Sequence, residues 1–170
     1  NAGKSSLINS MLGVDILPTN ILPETAVSYE LYFSSNEKLE VWLDDKLVET
    51  APISQLKSLQ LTPRNFVKLY LKNPTVKEWN DRNIVVVDMP GIDSGVEAPN
   101  NAILHYVQDG TFFVLVSEVE GGTLRLSTLS FIEEIKKYGA QLAVVVSKID
   151  KKPEQEVLDV KANVESVAKR

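Results

Sequence analysis

The chain opens Asn1-Ala2-Gly3-Lys4-Ser5, and these residue types at this spacing could hold a phosphate. They fit the last five positions of the phosphate-binding loop pattern G-x-x-x-x-G-K-[ST], whose first glycine and two following residues are absent. Gly3 lets backbone approach a phosphate closely, Lys4 can reach the β and γ phosphates, and the Ser5 hydroxyl is placed to ligate Mg2+. Residues 6–12 read as the first turns of a helix. Its N-terminal amides and dipole would favour a polyphosphate, which adds Ser6 to the binding set. An ordinary helix N-terminus preceded by small residues fits G-K-S-S equally well, so the decision must come from elsewhere in the chain.

Two further motifs follow apolar runs. Asp88-Met89-Pro90-Gly91 ends the run IVVVD, at the strand end where open α/β sheets place their ligand chemistry. A carboxylate there can hold a Mg2+ shell through water, and the Gly91 amide can face a γ-phosphate. On turn chemistry alone, D-x-P-G is also a common exit from a strand. Ser147-Lys148-Ile149-Asp150 comes directly after LAVVV and resembles the [NT]-K-x-D base-reading motif of GTPases. In that motif the Asp accepts hydrogen bonds from the ring NH and amino group of guanine, and the Lys stem covers the base. Adenine lacks that donor pair, which points to GTP over ATP. Ser147 departs from the usual Asn or Thr at the position that tethers the loop. Each motif alone is weak, but three in this order at strand ends make coincidence improbable.

The elements that must position these residues alternate strand and helix. Residues 84–88, 112–116 and 142–146 are continuous apolar runs, expected as strands buried on both faces of a parallel sheet. Helical spacing covers 99–108 and 125–138, the latter with Leu126, Leu129, Ile132 and Ile135 on one stripe. A last helix is expected from about Glu154. Between 28 and 78 the segments ELYF, KLEVWL and VKLYLK read as antiparallel strands, with turns at SSNEK and DDK and a short helix near Ile53 to Leu59.

Composition narrows the partners. With 170 residues, 44% hydrophobic and 24% charged, the chain reads as one domain with a single core. A net charge of -5 speaks against a nucleic-acid surface, which relies on concentrated Lys and Arg. The absence of cysteine excludes disulfides and thiolate-bound zinc. The apolar runs are far shorter than the ~20 residues of a spanning helix, and no signal peptide is visible.

On these residues the sequence resembles the large dynamin-like GTPases, especially the bacterial ones. NAGKSSLINSMLG matches a P-loop running into an S-L-I-N-x-L-L-G helix, and Pro23-Glu24-Thr25-Ala26 matches a switch I ending P-x-T-A. D-x-P-G and the strand-rich stretch before it complete the likeness. The resemblance implies an α/β, three-layer P-loop GTPase fold with a largely parallel central sheet and a strand-rich insert after switch I. It also implies that residues 1–170 are a partial GTPase domain, truncated at both ends, with the first strand missing and weak or no activity by itself. The implied ligands are GTP or GDP with Mg2+. Asn1, Ala2, Gly3, Lys4, Ser5, Ser6, Ser147, Lys148 and Asp150 would bind nucleotide, while Ser5, Thr25 and Asp88 would serve the metal. Lys4, Thr25 and Gly91 would act in catalysis. The implied partners are a second copy, as homodimer or homo-oligomer, and membrane lipid through regions outside this chain. The implied location is cytoplasmic, with peripheral membrane association.

No glutamine follows Gly91, and Ile92 cannot orient water, so positive charge must come from another source. Asn1 could supply an oxygen to K+, as in potassium-activated GTPases, or simply cap the loop. Arg64, Arg82 and Arg125 have no motif tying them to phosphates. His105 reads as a helix-surface or core residue rather than a base, and Asp93, Glu97, Glu118 and Glu120 as solvated loop acids. A potassium-activated GTPase of the ribosome-assembly type and a nucleotide-switched scaffold with little hydrolysis are the alternatives. Thr25 and Asp88 lie 63 positions apart, a spacing that favours the dynamin-like reading.

Overall fold

A computed structural model describes residues 2–19, 27–92, 106–107, 111–118 and 126–168. The chain forms two compact units, one of residues 4–102 and the other of residues 1–3 with 103–170.

The 4–102 unit begins with helix α1 (Lys4–Leu12) and then lays down β1 (Ser28–Phe33), β2 (Lys38–Leu43), β3 (Lys46–Ala51) and β4 (Asn65–Leu71). A 3-10 helix, Ile53–Ser58, separates β3 from β4, and helix α2 (Pro74–Asp81) precedes β5 (Val86–Asp88). The five strands form one sheet in the order β3-β2-β4-β1-β5. β1 and β4 are parallel, whereas β1/β5, β2/β3 and β2/β4 are antiparallel. The sheet is therefore mixed, which corrects the largely parallel sheet expected from the sequence. It also corrects the reading of ELYF, KLEVWL and VKLYLK as antiparallel strands: β4 inserts between β1 and β2 and runs parallel to β1, so of these three segments only β2 is antiparallel to both its neighbours.

Period-2 alternation sorts the side chains of this sheet onto two faces. Leu31, Leu39, Val41, Val67, Leu69 and Leu71 point into a core closed by Leu12 of α1 and Val76 of α2. The opposite face carries stacked aromatic pairs, Tyr32 on Tyr70 with centroids 5.5 Å apart and Trp42 on Phe66 at 6.0 Å. There Glu40 accepts from Lys38 Nζ at 2.6 Å, Trp42 Nε1 at 3.2 Å and the Tyr70 hydroxyl at 3.2 Å.

Two elements of this unit carry no sequence expectation above. β3 is an edge strand exposed over all but its last residue, so no apolar alternation announces it. α2 starts at an Asn-Pro signal: the Asn73 side chain accepts from the amides of Thr75 and Val76, and Pro74 occupies the first turn. Its end shortens the next strand. Asn80 Oδ1 takes the Phe33 amide at 2.7 Å and its Nδ2 donates to Ile84 O at 3.0 Å, while the Ile84 amide donates to Trp79 O. Strand pairing consequently begins only at Val86, and Ile84 and Val85 are exposed, against the expectation of a run buried on both faces.

The second unit holds β6 (Phe112–Glu118), α3 (Leu126–Lys137), β7 (Gln141–Ser147), a 3-10 turn (Ile149–Lys151) and α4 (Glu154–Ala168). β6 and β7 are parallel and in register from Phe112 opposite Gln141 to Glu118 opposite Ser147. On α3, Ile132 and Ile135 are buried, and Phe131 meets Phe113 edge-on at 6.3 Å. Phe113 and Leu115 are buried while Phe112 and Val114 are exposed, so the first four residues of β6 alternate, and burial on both faces is reached only at Leu115 and Val116. The helix expected over 99–108 lies outside the described residues except for 106 and 107. Among the described residues no helix is long and apolar enough to cross a membrane.

Candidate functional site

The first cluster belongs to the 4–102 unit and is built on the start of α1 and the end of β5. Lys4 is the first helical residue, and Gly3 before it has φ +84, a backbone conformation that side chains with a Cβ rarely adopt. A Cβ on Gly3 would meet nothing within 4 Å, so glycine is required there for conformation rather than space. The Ser5 hydroxyl donates to Asp88 Oδ2 at 2.6 Å. Asp88 is buried and pairs across the sheet with Tyr29 of β1. Burial pushes the Asp88 carboxyl above its ordinary range, opposed by the Ser5 hydrogen bond and the Lys4 charge. Tyr29 is pushed up to about 12 by burial and by the Asp88 charge. A Cβ placed on Gly91 would lie 3.5 Å from Lys4 Nζ, so the lysine ammonium sits beside the Gly91 backbone. Lys4, Ser5, Asp88 and Gly91, drawn from two motifs some 80 residues apart, are thus brought together.

Among the described residues no group of three or more His, Cys, Asp or Glu could hold a metal. Ser5 and Asp88 offer one hydroxyl and one carboxylate, an all-oxygen set that suits Mg2+, which binds through few protein ligands and completes its shell with water and phosphate.

Asn9, the asparagine of the S-L-I-N stretch, is part of this arrangement without being a predicted site residue. Its buried side chain donates to Leu17 O at 2.9 Å and accepts the amides of Ile16 and Leu17 at 3.3 and 2.9 Å. It fixes the chain leaving α1. The available signal is a polar residue on the helix face that also carries Leu12.

The second cluster belongs to the other unit and sits at the ends of β6 and β7. Ser147 Oγ donates to Ala2 O at 2.8 Å and lies 3.3 Å from Ser117 O. The hydroxyl therefore makes a tether to the loop backbone where an Asn or Thr is usual. Lys148 has left-handed backbone, φ 57 and ψ 32, and its ammonium forms an ion pair with Glu118. Asp150 follows in the 3-10 turn with its side chain exposed. Glu118 is therefore no solvated loop acid: it ends β6 and is held by Lys148.

Asn1 and Thr25 lie outside the described residues, as do Asp93, Glu97, His105, Glu120 and Arg125. Ser6 is exposed on α1. Arg64 pairs with Asp44 and Arg82 with Glu78, all at the surface.

Residues 1–149 match the Dynamin family. The chain belongs to that family. Among its dynamin-like relatives is Dynamin-like protein 1 of Campylobacter jejuni subsp. jejuni serotype O:23/36 (strain 81-176), 23% identical over 154 residues. A protein of Caldicellulosiruptor sp. (strain Rt8B.4), from the xynA 3' region, is 26% identical over 98% of this chain. The chain spans 42% of the Caldicellulosiruptor protein and 21% of the Campylobacter one. Two solved chains of an oligomerised bacterial dynamin pair, described as a mechanism for long-range sensing and tethering of membranes, share the fold. Their TM-scores are 0.61 and 0.59 at 20% and 21% identity, over 96% of this chain and 26% of each of theirs.

Proposed function

We propose that this chain carries the guanine-nucleotide-binding, GTP-hydrolysing machinery of a dynamin-like protein that self-assembles with nucleotide and acts on membranes. The single observation behind the nucleotide part is the 2.6 Å Ser5–Asp88 hydrogen bond with Lys4 beside Gly91. It supports the reading because a hydroxyl, a carboxylate, an ammonium and a glycine backbone converge there, the groups that a Mg2+-bound triphosphate would need. Lys4 would grip the β and γ phosphates, and the Gly91 amide would donate to the γ-phosphate. Ser5, Asp88 and Thr25 would hold Mg2+, which neutralises phosphate charge when bound. Asp150 would read guanine, with the Lys148 stem over the base and Ser147 tying that loop to the backbone before Gly3. Asn1 is the candidate for a K+ ion that adds positive charge, checked by comparing hydrolysis in potassium with hydrolysis in sodium. Assembly and membrane action rest on family membership and on the solved bacterial dynamin pair. Hydrolysis by the complete protein with and without liposomes tests the reading. GTP turnover that rises on liposomes is expected. GTP binding without turnover in either condition would leave a nucleotide-switched scaffold.

A further inference from the structure

We infer that Glu118 is a positioning residue for nucleotide binding: it anchors the Lys148 ammonium so that the lysine stem is already stretched along the loop when the base arrives. The inference rests on the base-covering role of Lys148 proposed above. β6 and β7 run parallel, and their register sets Glu118 beside Ser147, one residue before Lys148. The ion pair joins the ends of two strands, with side chains 15% exposed for Glu118 and 39% for Lys148. It is more shielded than an ordinary surface pair, whose net effect is small.

The other end of the lysine is fixed as well. Ser147 is tied to Ala2 O and lies against Ser117 O, and Lys148 takes up left-handed backbone, where a glycine would be unstrained. A lysine at such a position accepts backbone strain that a glycine would avoid, which fits a use for its side chain. With its Cα and its ammonium both held, the four-carbon stem has lost most of its rotamers before any ligand binds. Affinity gained this way comes from ordering already done and needs no contact between Glu118 and the nucleotide.

Fluorescent-GDP titration of the complete protein tests this. Glu118→Gln should weaken GDP binding about five-fold, the scale of ordering one long side chain. The same factor should appear for the inosine nucleotide, because the stem covers a base face that both share. Glu118→Asp, which keeps the charge, should recover most of the loss. In a Lys148→Met background, Glu118→Gln should change nothing further, a result that a merely structural role would not give. Equal or tighter binding by Glu118→Gln, or an undiminished loss in the Lys148→Met background, overturns the inference. If Glu118→Gln does not fold, the Glu118→Asp titration decides alone, with wild-type affinity expected to within two-fold and a full loss counting against it. Failure of the wild type to bind any GDP would instead overturn the underlying nucleotide reading, and the inference with it.

Discussion

The ends of β5 and β7 solve different problems with different chemistry. At the end of β5 the carboxylate of Asp88 is buried, 4% exposed, and satisfied by a helix hydroxyl and a nearby ammonium. At the end of β7 the Asp150 carboxylate is exposed on a short turn, and order comes from two ties just before it, Ser147 to backbone and Lys148 to Glu118. A buried charge is costly unless compensated, so the first arrangement is stable only because its partners are already aimed at it. An exposed carboxylate costs little to place, and the selectivity proposed for it would come from how firmly the turn is held. On the proposed reading, the first end would give a strong, base-blind grip on phosphate and the second a weaker contact that reads the base.

That separation can be broken most forcefully at Lys4. Lys4→Ala in the complete protein should weaken GTP by about 100-fold, the value of charge-assisted contacts to two phosphates, and GDP, which offers only the β contact, by about 10-fold. Calorimetric titration with both nucleotides checks this, and a loss confined to GTP would place Lys4 at the γ-phosphate alone. Asp88→Asn should lower Mg2+ affinity in the nucleotide complex about 10- to 100-fold. The same substitution should raise the melting temperature of the nucleotide-free protein, since burial disfavours the charged carboxyl and an amide oxygen still accepts from Ser5. A lower melting temperature would mean that the buried charge is more than compensated.

The smallest effect is expected far from both strand ends, on the polar face of the sheet. Burial pushes Glu40 up, but hydrogen bonds from Lys38, Trp42 and Tyr70 and the Lys38 charge outweigh it, so its carboxyl lies below the ordinary value of 4.5. A depressed carboxyl stabilises the fold above its unfolded value and loses that contribution as pH falls through the folded one. Glu40→Gln should therefore cost about 1 kcal/mol at pH 7, a gap that closes below pH 4.5. Nucleotide affinity should not move. Urea unfolding at several pH values measures the gap.

What the sequence made legible follows the same division. The motifs GKSS and DMPG are short and local, and they announce Ser5 and Asp88, which the fold then brings within hydrogen-bond distance. Strand order was hidden, because β4 enters between β1 and β2 and no local pattern encodes that insertion. The length of β5 was hidden as well, since Asn80 of α2 and the Trp79 carbonyl engage Ile84, which hydrophobicity alone assigns to a strand. Glu118 in SEVEGG reads as one of several loop acids. Only the parallel register of β6 against β7 sets it beside Lys148.

The most direct measurement is a base exchange. GTP and XTP should be titrated calorimetrically into the complete protein and into its Asp150→Asn variant, at fixed Mg2+. An asparagine can offer the donor that the xanthine carbonyl requires, whereas an aspartate can only accept. Wild type should prefer GTP and the variant XTP, each with its better nucleotide bound at similar affinity because the phosphate grip is untouched. Equal loss of both nucleotides, or no change in preference, would contradict the assignment of base reading to the end of β7.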